Sequence, residues 1–364
     1  MKFELEALVI EHSCRDSALA KRIVERIDPR IPVGYVEDGR AFAQPIAGQD
    51  PFGAGKRRMI LTRKHGSFVT GCPAASAKFA CCGYLIMNLA SNCPMDCSYC
   101  FLQEYLADNP GFKIFANYCD AFPELDKLSR TAGGRNFRIG TGELADSLAF
   151  DNFTGISAEL VDFFAQRDNL LLELKTKTDE IENLLRIDSR GRTLVSWTLS
   201  PEAVFRSSER LTASPARRIA AARRLLAAGY RVGFHLDPIV AYPAAGRDYP
   251  ALLDELFDNV PADRIAFISL GGLRMTPALR RIVRERFSAD TMMVGEEVLA
   301  PDGRFRTFAA MRVALYSKLH ERTRRAGVPQ VYLCMEPASV HERVFGVRPP
   351  PPGAMGEKLA QEPA

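Results

Sequence analysis

Cys93, Cys97 and Cys100 stand in the run Asn92-Cys-Pro-Met-Asp-Cys-Ser-Tyr-Cys-Phe101, spaced Cys-x3-Cys-x2-Cys. Three thiolates on one short loop can hold three irons of a [4Fe-4S] cluster and leave the fourth iron without a protein ligand. An open iron can bind a second molecule, which turns an electron carrier into a catalyst. A structural zinc centre is the competing reading. Such sites usually close with four ligands arranged as two pairs, and the chain holds no second Cys-x2-Cys and no His-x3-His. Tyr99 and Phe101 flank the last cysteine, where a ring can shield a cluster or pack on a nucleoside.

Other candidates carry less. His235 and Asp237 fall at the end of an expected strand and either face a substrate or satisfy each other; Glu336, in Val331-Tyr-Leu-Cys-Met-Glu-Pro337, has the same standing. Lys56, Arg57, Arg58, Arg63 and Lys64 form a basic run that could meet phosphates, although a solvated surface is the commoner use of such charges. Gly53-Ala-Gly-Lys56 is not a phosphate-binding loop, because Asp50 stands where the first glycine belongs and Arg57 replaces the metal-binding Ser or Thr. Cys72, Cys81 and Cys82 fit no common metal spacing and read as small buried thiols.

These residues need a scaffold. From about residue 83 onward, apolar runs rich in β-formers alternate with amphipathic stretches, the pattern of β-α units. The runs are Tyr84–Leu89, Lys113–Tyr118, Phe137–Gly140, Leu170–Lys175, Thr193–Leu199, Arg231–Leu236, Arg264–Leu270 and Gln330–Cys334. The clearest helix opens on Ser214 as N-cap with Pro215 behind it, buries Ile219, Ala222, Leu225 and Leu226, and stops at Gly229. Thr276-Pro277 repeats the device ahead of Leu279, Ile282, Val283 and Phe287. The expected fold is α/β, a partial or full (β/α) barrel with an N-terminal extension, in which chemistry collects on loops after the C-terminal ends of strands. The cysteine motif follows the Tyr84–Leu89 strand, in keeping with that rule. Residues 1–82 read as the extension, with a helix near Asp16–Ile27, residues 83–346 as the barrel core, and residues 347–364 as a disordered tail with few apolar residues to bury.

Composition sets bounds on function. The chain has 364 residues, 47% of them hydrophobic and 25% charged, which is ordinary globular usage. No run reaches the roughly 18 apolar residues that cross a bilayer. The start, Met1-Lys-Phe-Glu-Leu-Glu-Ala-Leu8, lacks the form of a signal peptide, so a cytoplasmic protein without membrane partners is expected. Nine cysteines, an odd number, suit thiol or metal use better than a disulfide framework. A net charge of +4 permits nucleic acid without demanding it.

The cysteine motif, with an aromatic before its third cysteine, resembles the radical S-adenosylmethionine superfamily, and Tyr99-Cys-Phe-Leu-Gln103 resembles its spore photoproduct lyase family. The resemblance runs over roughly residues 60–346, through Thr176-Lys177, Ser196-Trp-Thr-Leu-Ser200, the helix Arg217–Arg224 leading to Ala228-Gly-Tyr230, Gly233-Phe234, Asp237-Pro-Ile239 and Leu273–Leu279. It implies a radical S-adenosylmethionine barrel with two cofactors. One is a [4Fe-4S] cluster on Cys93, Cys97 and Cys100; the other is S-adenosylmethionine, chelated to the open iron by its amino and carboxylate groups. One electron then cleaves the sulfonium and yields a 5′-deoxyadenosyl radical that abstracts hydrogen from a substrate. Gly140, Gly142 and Glu143 resemble the Gly-Gly-Glu type motif that meets the methionine amino group, with a plain tight turn as the alternative. Lys177 and Ser196 are carried over as contacts to the methionine carboxylate or ribose, with Lys175 competing for the role. Implied partners are a reductant such as ferredoxin or flavodoxin and, as candidate substrate, DNA; the oligomeric state is open.

The chain departs from this family at one chemical step. Its relatives carry a cysteine just before the Ser-Asp that follows a central strand, and that thiol returns a hydrogen atom to the product radical. The matching stretch, Gly140–Ser147, has none, and no cysteine occurs between Cys119 and Cys334. Phe101 also stands where a tyrosine often follows the third cluster cysteine. Cys334, at the end of the last expected strand, is the candidate replacement, with Tyr99 or Tyr118 behind it. Three functions compete: a lyase splitting a thymine-dimer lesion, a radical enzyme acting on another nucleotide, peptide or metabolite, and a non-catalytic nucleic-acid-binding protein with a structural metal centre.

Overall fold

The computed structural model describes residues 5–39, 50–72, 79, 82–107, 110–351 and 353–361. Its main sheet has eight strands: β1 (Val69–Gly71), β2 (Leu85–Met87), β3 (Phe137–Gly140), β4 (Leu170–Thr176), β5 (Thr193–Thr198), β6 (Arg231–Ile239), β7 (Ile265–Gly272) and β8 (Val331–Leu333). They pair in chain order, parallel from β2 to β8, with β1 antiparallel at one edge. The sheet curls into a half-barrel whose end strands β1 and β8 do not pair with each other among the described residues.

Strand alternation sorts side chains into layers. On β4, Leu170, Leu172 and Leu174 face the large core shared with the outer helices, while Leu171, Glu173 and Lys175 point into the barrel from floor to mouth. Side-chain hydrogen bonds gather Ser196, His235 and Arg138 in one layer around Glu173, with Ser269 on His235 and Tyr332 on Arg138. One step higher come Lys175, Asp237 and Cys334. The interior is therefore apolar at its base and charged toward its mouth.

The expected helix starts hold. Ser214 and Thr276 accept hydrogen bonds from the amides of Arg217 and Leu279, and the helices Pro215–Ala227 and Pro277–Arg286 follow. Leu226 and Ile282 are half-buried rather than buried. The extension's helix spans Ala18–Arg26, capped by Ser17.

Three expectations are corrected. The run at Lys113–Tyr118 is a strand, Phe112–Phe115, but it lies in a second, five-stranded sheet between Arg58–Thr62 and Ala90–Ser91. That sheet also holds Ala7–Glu11 and Val33–Val36 from the extension. A short apolar run carries no mark of which sheet it joins. The tail holds a helix, Ala354–Gln361, whose Leu359 and Ala360 pack on Leu171, Leu194 and Phe267 and close the barrel floor. Composition understated it because few apolar residues suffice when each is fully buried. Finally, Lys56 of the supposed surface run is buried, at 2% exposure. Among the described residues no helix is long and apolar enough to cross a membrane.

Candidate active site

The cysteine loop is set by its hydrogen bonds. It opens at Asn92, which holds a left-handed φ of 73°, a conformation that asparagine tolerates better than most residues. The Asn92 side chain accepts from the Cys93 amide at 2.8 Å and donates to the Pro110 carbonyl at 2.5 Å. Further on, Asp96–Cys97 pairs antiparallel with Glu209–Arg210, Cys97 opposite Glu209, so the loop is stitched to the segment after β5. Gln103 Nε2 donates to the carbonyls of Ser98 and Cys100 at 2.8 and 3.2 Å.

Cys93, Cys97 and Cys100 line one cavity of about 890 Å³, together with Glu143, Lys175, Lys177 and Asp237. Burial pushes the Cys97 thiol up to about 12 and the Cys93 thiol higher still, the Asp146 carboxylate adding to the effect at Cys93. Such thiols stay protonated until a metal displaces the proton. Among the described residues no three His, Cys, Asp or Glu side chains converge on a single metal ion. A cluster distributes its thiolates over separate irons, so this donor set suits a cluster better than a lone zinc.

Beside the cysteines every charge has a partner. Tyr99 donates its hydroxyl proton to Glu209 and receives one from Lys177, whose Nζ is also 2.9 Å from Glu209 Oε1. Arg218 Nη2 is 2.5 Å from Glu209 Oε2, and Ser200 Oγ donates to Oε1 at 2.8 Å. Burial alone would raise the Glu209 carboxyl, but Arg218 and Lys177 outweigh it and hold it well below the usual range. Arg218 lay in the quoted helix run, yet nothing in the spacing singled it out; Glu209 had no sequence signal.

Across the cavity the turn after β3 is anchored by Asp146, another residue the sequence did not mark. It accepts from the Leu148 and Ala149 amides, the Thr176 hydroxyl and the Lys177 amide at 2.8–3.0 Å. Gly142 presses against β4, where a Cβ would fall 2.7 Å from that of Lys175. This close approach leaves the Glu143 carboxylate and the Lys175 ammonium lining the cavity, neither with an ion-pair partner among the described residues. Burial opposes the Lys175 charge, but Glu143 and Asp237 outweigh it and hold this lysine above its ordinary value.

At the mouth Asp237 and Arg274 form an ion pair at 3.0 Å, and Arg274 Nη2 lies 4.0 Å from Cys334 Sγ, which stands behind that pair and, unlike its neighbour Met335, is not among the cavity-lining residues. Burial raises the Cys334 thiol far above its usual value, with Asp237 adding to the effect, so it carries its proton.

Several expected site residues lie elsewhere. Ser196 is one layer down, donating to Glu173 at 2.6 Å, and is not among the cavity-lining residues. His235 bridges Ser269 and Glu173 rather than Asp237. Gly140 makes room for Tyr84, whose hydroxyl would lie 1.7 Å from an added Cβ. Glu336 is buried beneath Arg312 and Tyr316. Tyr118 donates to Glu159 outside the cavity. Cys72 and Cys82 are not disulfide-bonded, and Cys81 lies outside the described residues.

Comparison with known proteins places the chain in a family. The chain is 26% identical to a spore photoproduct lyase of Geobacillus sp. over 202 residues, 55% of this chain and 59% of that one. It is 23% identical to the spore photoproduct lyase of Clostridium acetobutylicum over 285 residues, 76% and 81% of the two chains. A solved spore photoproduct lyase complexed with dinucleoside spore photoproduct superposes with a TM-score of 0.78 at 19% identity, covering 92% of this chain and 99% of that one. A mutant of such an enzyme with bound S-adenosylmethionine and dinucleoside spore photoproduct matches equally well. With the family model for spore photoproduct lyase matched over residues 52–309, the chain belongs to the spore photoproduct lyase family.

Proposed function

We propose that this protein is a radical S-adenosylmethionine enzyme that abstracts hydrogen from a thymine-dimer lesion of the spore photoproduct type. One observation carries the reading: three cysteines and an unpaired carboxylate and ammonium line the same cavity. Cys93, Cys97 and Cys100 would hold the cluster. When bound, cluster and S-adenosylmethionine supply an electron and the 5′-deoxyadenosyl radical.

The remaining work falls to the chain. Glu143 accepts from the methionine ammonium and Lys175 donates to the methionine carboxylate, a pairing of charged groups in a confined space. Lys175 takes the part first assigned to Lys177, because Lys177 is already committed to Glu209 and Tyr99. Gly142 supports this placement by letting the turn after β3 press close against Lys175 on β4. Tyr99 shields the cysteine side, its hydroxyl held by Glu209.

Cys334 is the better hydrogen-atom donor to a product radical. Only a protonated thiol can give a hydrogen atom, and Cys334 keeps its proton beside the Asp237–Arg274 pair. Tyr99 is tied into the Glu209 network. Absence of a cysteine in Gly140–Ser147 favours the second reading, the same radical directed at a different substrate.

The test is anaerobic reconstitution with iron and sulfide, reduction with dithionite, and assay of 5′-deoxyadenosine and of thymine release from spore photoproduct dinucleotide. Both products are expected. Cofactor cleavage without thymine release supports the second reading, and no cleavage removes both. Cys334→Ala is expected to keep 5′-deoxyadenosine formation and lose product yield; an unchanged yield rejects Cys334 as donor.

A further inference from the structure

Lys56 belongs to the extension, yet its side chain ends beneath the cysteine loop. It follows the short helix Pro51–Gly55, and its ammonium is 2% exposed. Nζ donates to the carbonyl of Cys93 at 3.1 Å and to that of Met95 at 2.5 Å. The Phe52 ring lies 4.9 Å away, and Asp96 Oδ1 at 3.9 Å is the nearest carboxylate.

That carboxylate is shared. Arg286, from the helix Pro277–Arg286, reaches Asp96 at 3.2 Å and Asp50 at 2.7 Å. Asp96 thus serves two cations, while Lys56 relies chiefly on two neutral carbonyls. On the other side of the loop, Lys177 and Arg218 share Glu209 and each hydrogen-bonds it directly. Lys56 is therefore a buried cation directly beneath the cysteine loop whose hydrogen bonds go to neutral carbonyls. Burying an ammonium on such weak compensation is costly.

The two carbonyls show what the ammonium does. They belong to the first cysteine of the motif and to the residue ahead of Asp96-Cys97, so one ammonium fixes both backbone segments that aim Cys93 and Cys97. A cluster on these cysteines gains a negative charge when reduced, and a nearby buried cation favours that state.

We infer that Lys56 is a positioning residue for the cluster, clamping the cysteine loop and making its cluster easier to reduce. The inference rests on the reading that Cys93, Cys97 and Cys100 ligate a [4Fe-4S] cluster.

The experiment compares wild type, Lys56→Met and Lys56→Arg after anaerobic reconstitution, measuring iron content and the one-electron midpoint potential by spectroscopically monitored titration. If wild type takes up no cluster, the ligand reading fails and the inference with it. With wild type loaded, Lys56→Met is expected to lower the equilibrium constant for reduction about tenfold, a fall of about 59 mV for one electron. Lys56→Arg is expected to stay close to wild type. An unchanged potential in loaded Lys56→Met, or an equal fall in Lys56→Arg, overturns the electrostatic role. A second measurement needs no cluster: amide hydrogen exchange of residues 93–100 in the metal-free proteins. Lys56→Met is expected to exchange faster there than wild type and Lys56→Arg, and equal rates in all three overturn the clamp.

Discussion

The two walls of the cavity handle charge in opposite ways. Beside the cysteines, Glu209 is bound by Arg218, Lys177, Tyr99 and Ser200, so four elements of the chain are locked to one carboxylate. Facing them, Glu143 and Lys175 point into the same space without ion-pair partners among the described residues. Both are half-buried at the cavity wall, so their charged ends stay open to a ligand. A saturated network therefore holds geometry, and an unsaturated pair marks where a charged ligand completes the site.

The most severe way to break this contrast is to remove the wall's chemistry. Cys93→Ser, Cys97→Ser or Cys100→Ser is expected to take 5′-deoxyadenosine formation to background after reconstitution; full iron content and turnover in any of them would remove it from the ligand set. Next in size, Arg218→Met strips the main partner from buried Glu209 and is expected to cost about 3–5 kcal/mol in urea unfolding, toward the lower end because Lys177 remains. A cost near zero would mean that the saturated wall is not structural.

A finer test sets the two lysines against each other. Lys175→Met and Glu143→Gln each lose a charge-assisted contact of about 1.5–3 kcal/mol, a weakening of S-adenosylmethionine binding of roughly tenfold to a hundredfold by equilibrium titration, with melting little changed. Lys177→Met is expected to do the reverse, lowering stability more than binding. Equal losses of binding at positions 175 and 177 would erase the distinction between the walls.

The smallest effect at any one step of pH comes from the layer beneath. His235 is held down to about 4 from 6.5, by burial and then by Lys175. The folded ring stays neutral while the unfolded chain takes up a proton below 6.5, so the unfolded state binds more protons and stability falls as pH drops from 6.5 toward 4. The slope is at most about 1.4 kcal/mol per pH unit. Thermal melts against pH should show this limb in wild type and a flatter one in His235→Gln. Identical limbs would assign the loss to carboxylates such as Glu173, itself held low against its burial by Arg138.

What was legible in the sequence was local. Ser214-Pro215 and Thr276-Pro277 announce helix starts because the cap is a contact between neighbours three residues apart. The cysteine motif reads for the same reason, since its ligands sit within eight residues of one loop. The Phe112–Phe115 strand was foreseen as a strand but not as part of the second sheet, and the tail helix was missed because its few apolar residues matter only against Leu171 and Phe267. Ser196 looked suited to a ligand by its motif, but its hydroxyl donates to Glu173 on the neighbouring strand instead.

By itself, then, the sequence determined the element pattern, the α/β class and the three thiols able to share a cluster, all of which depend on residue type and short spacing. Tertiary structure alone decided which charges are spent and which are free. Glu209 meets Lys177 across 32 residues, and Lys56 meets the Cys93 carbonyl across 37. Burial and partners at such separations turn a lysine into a brace or a ligand, and they exist only once the chain has folded.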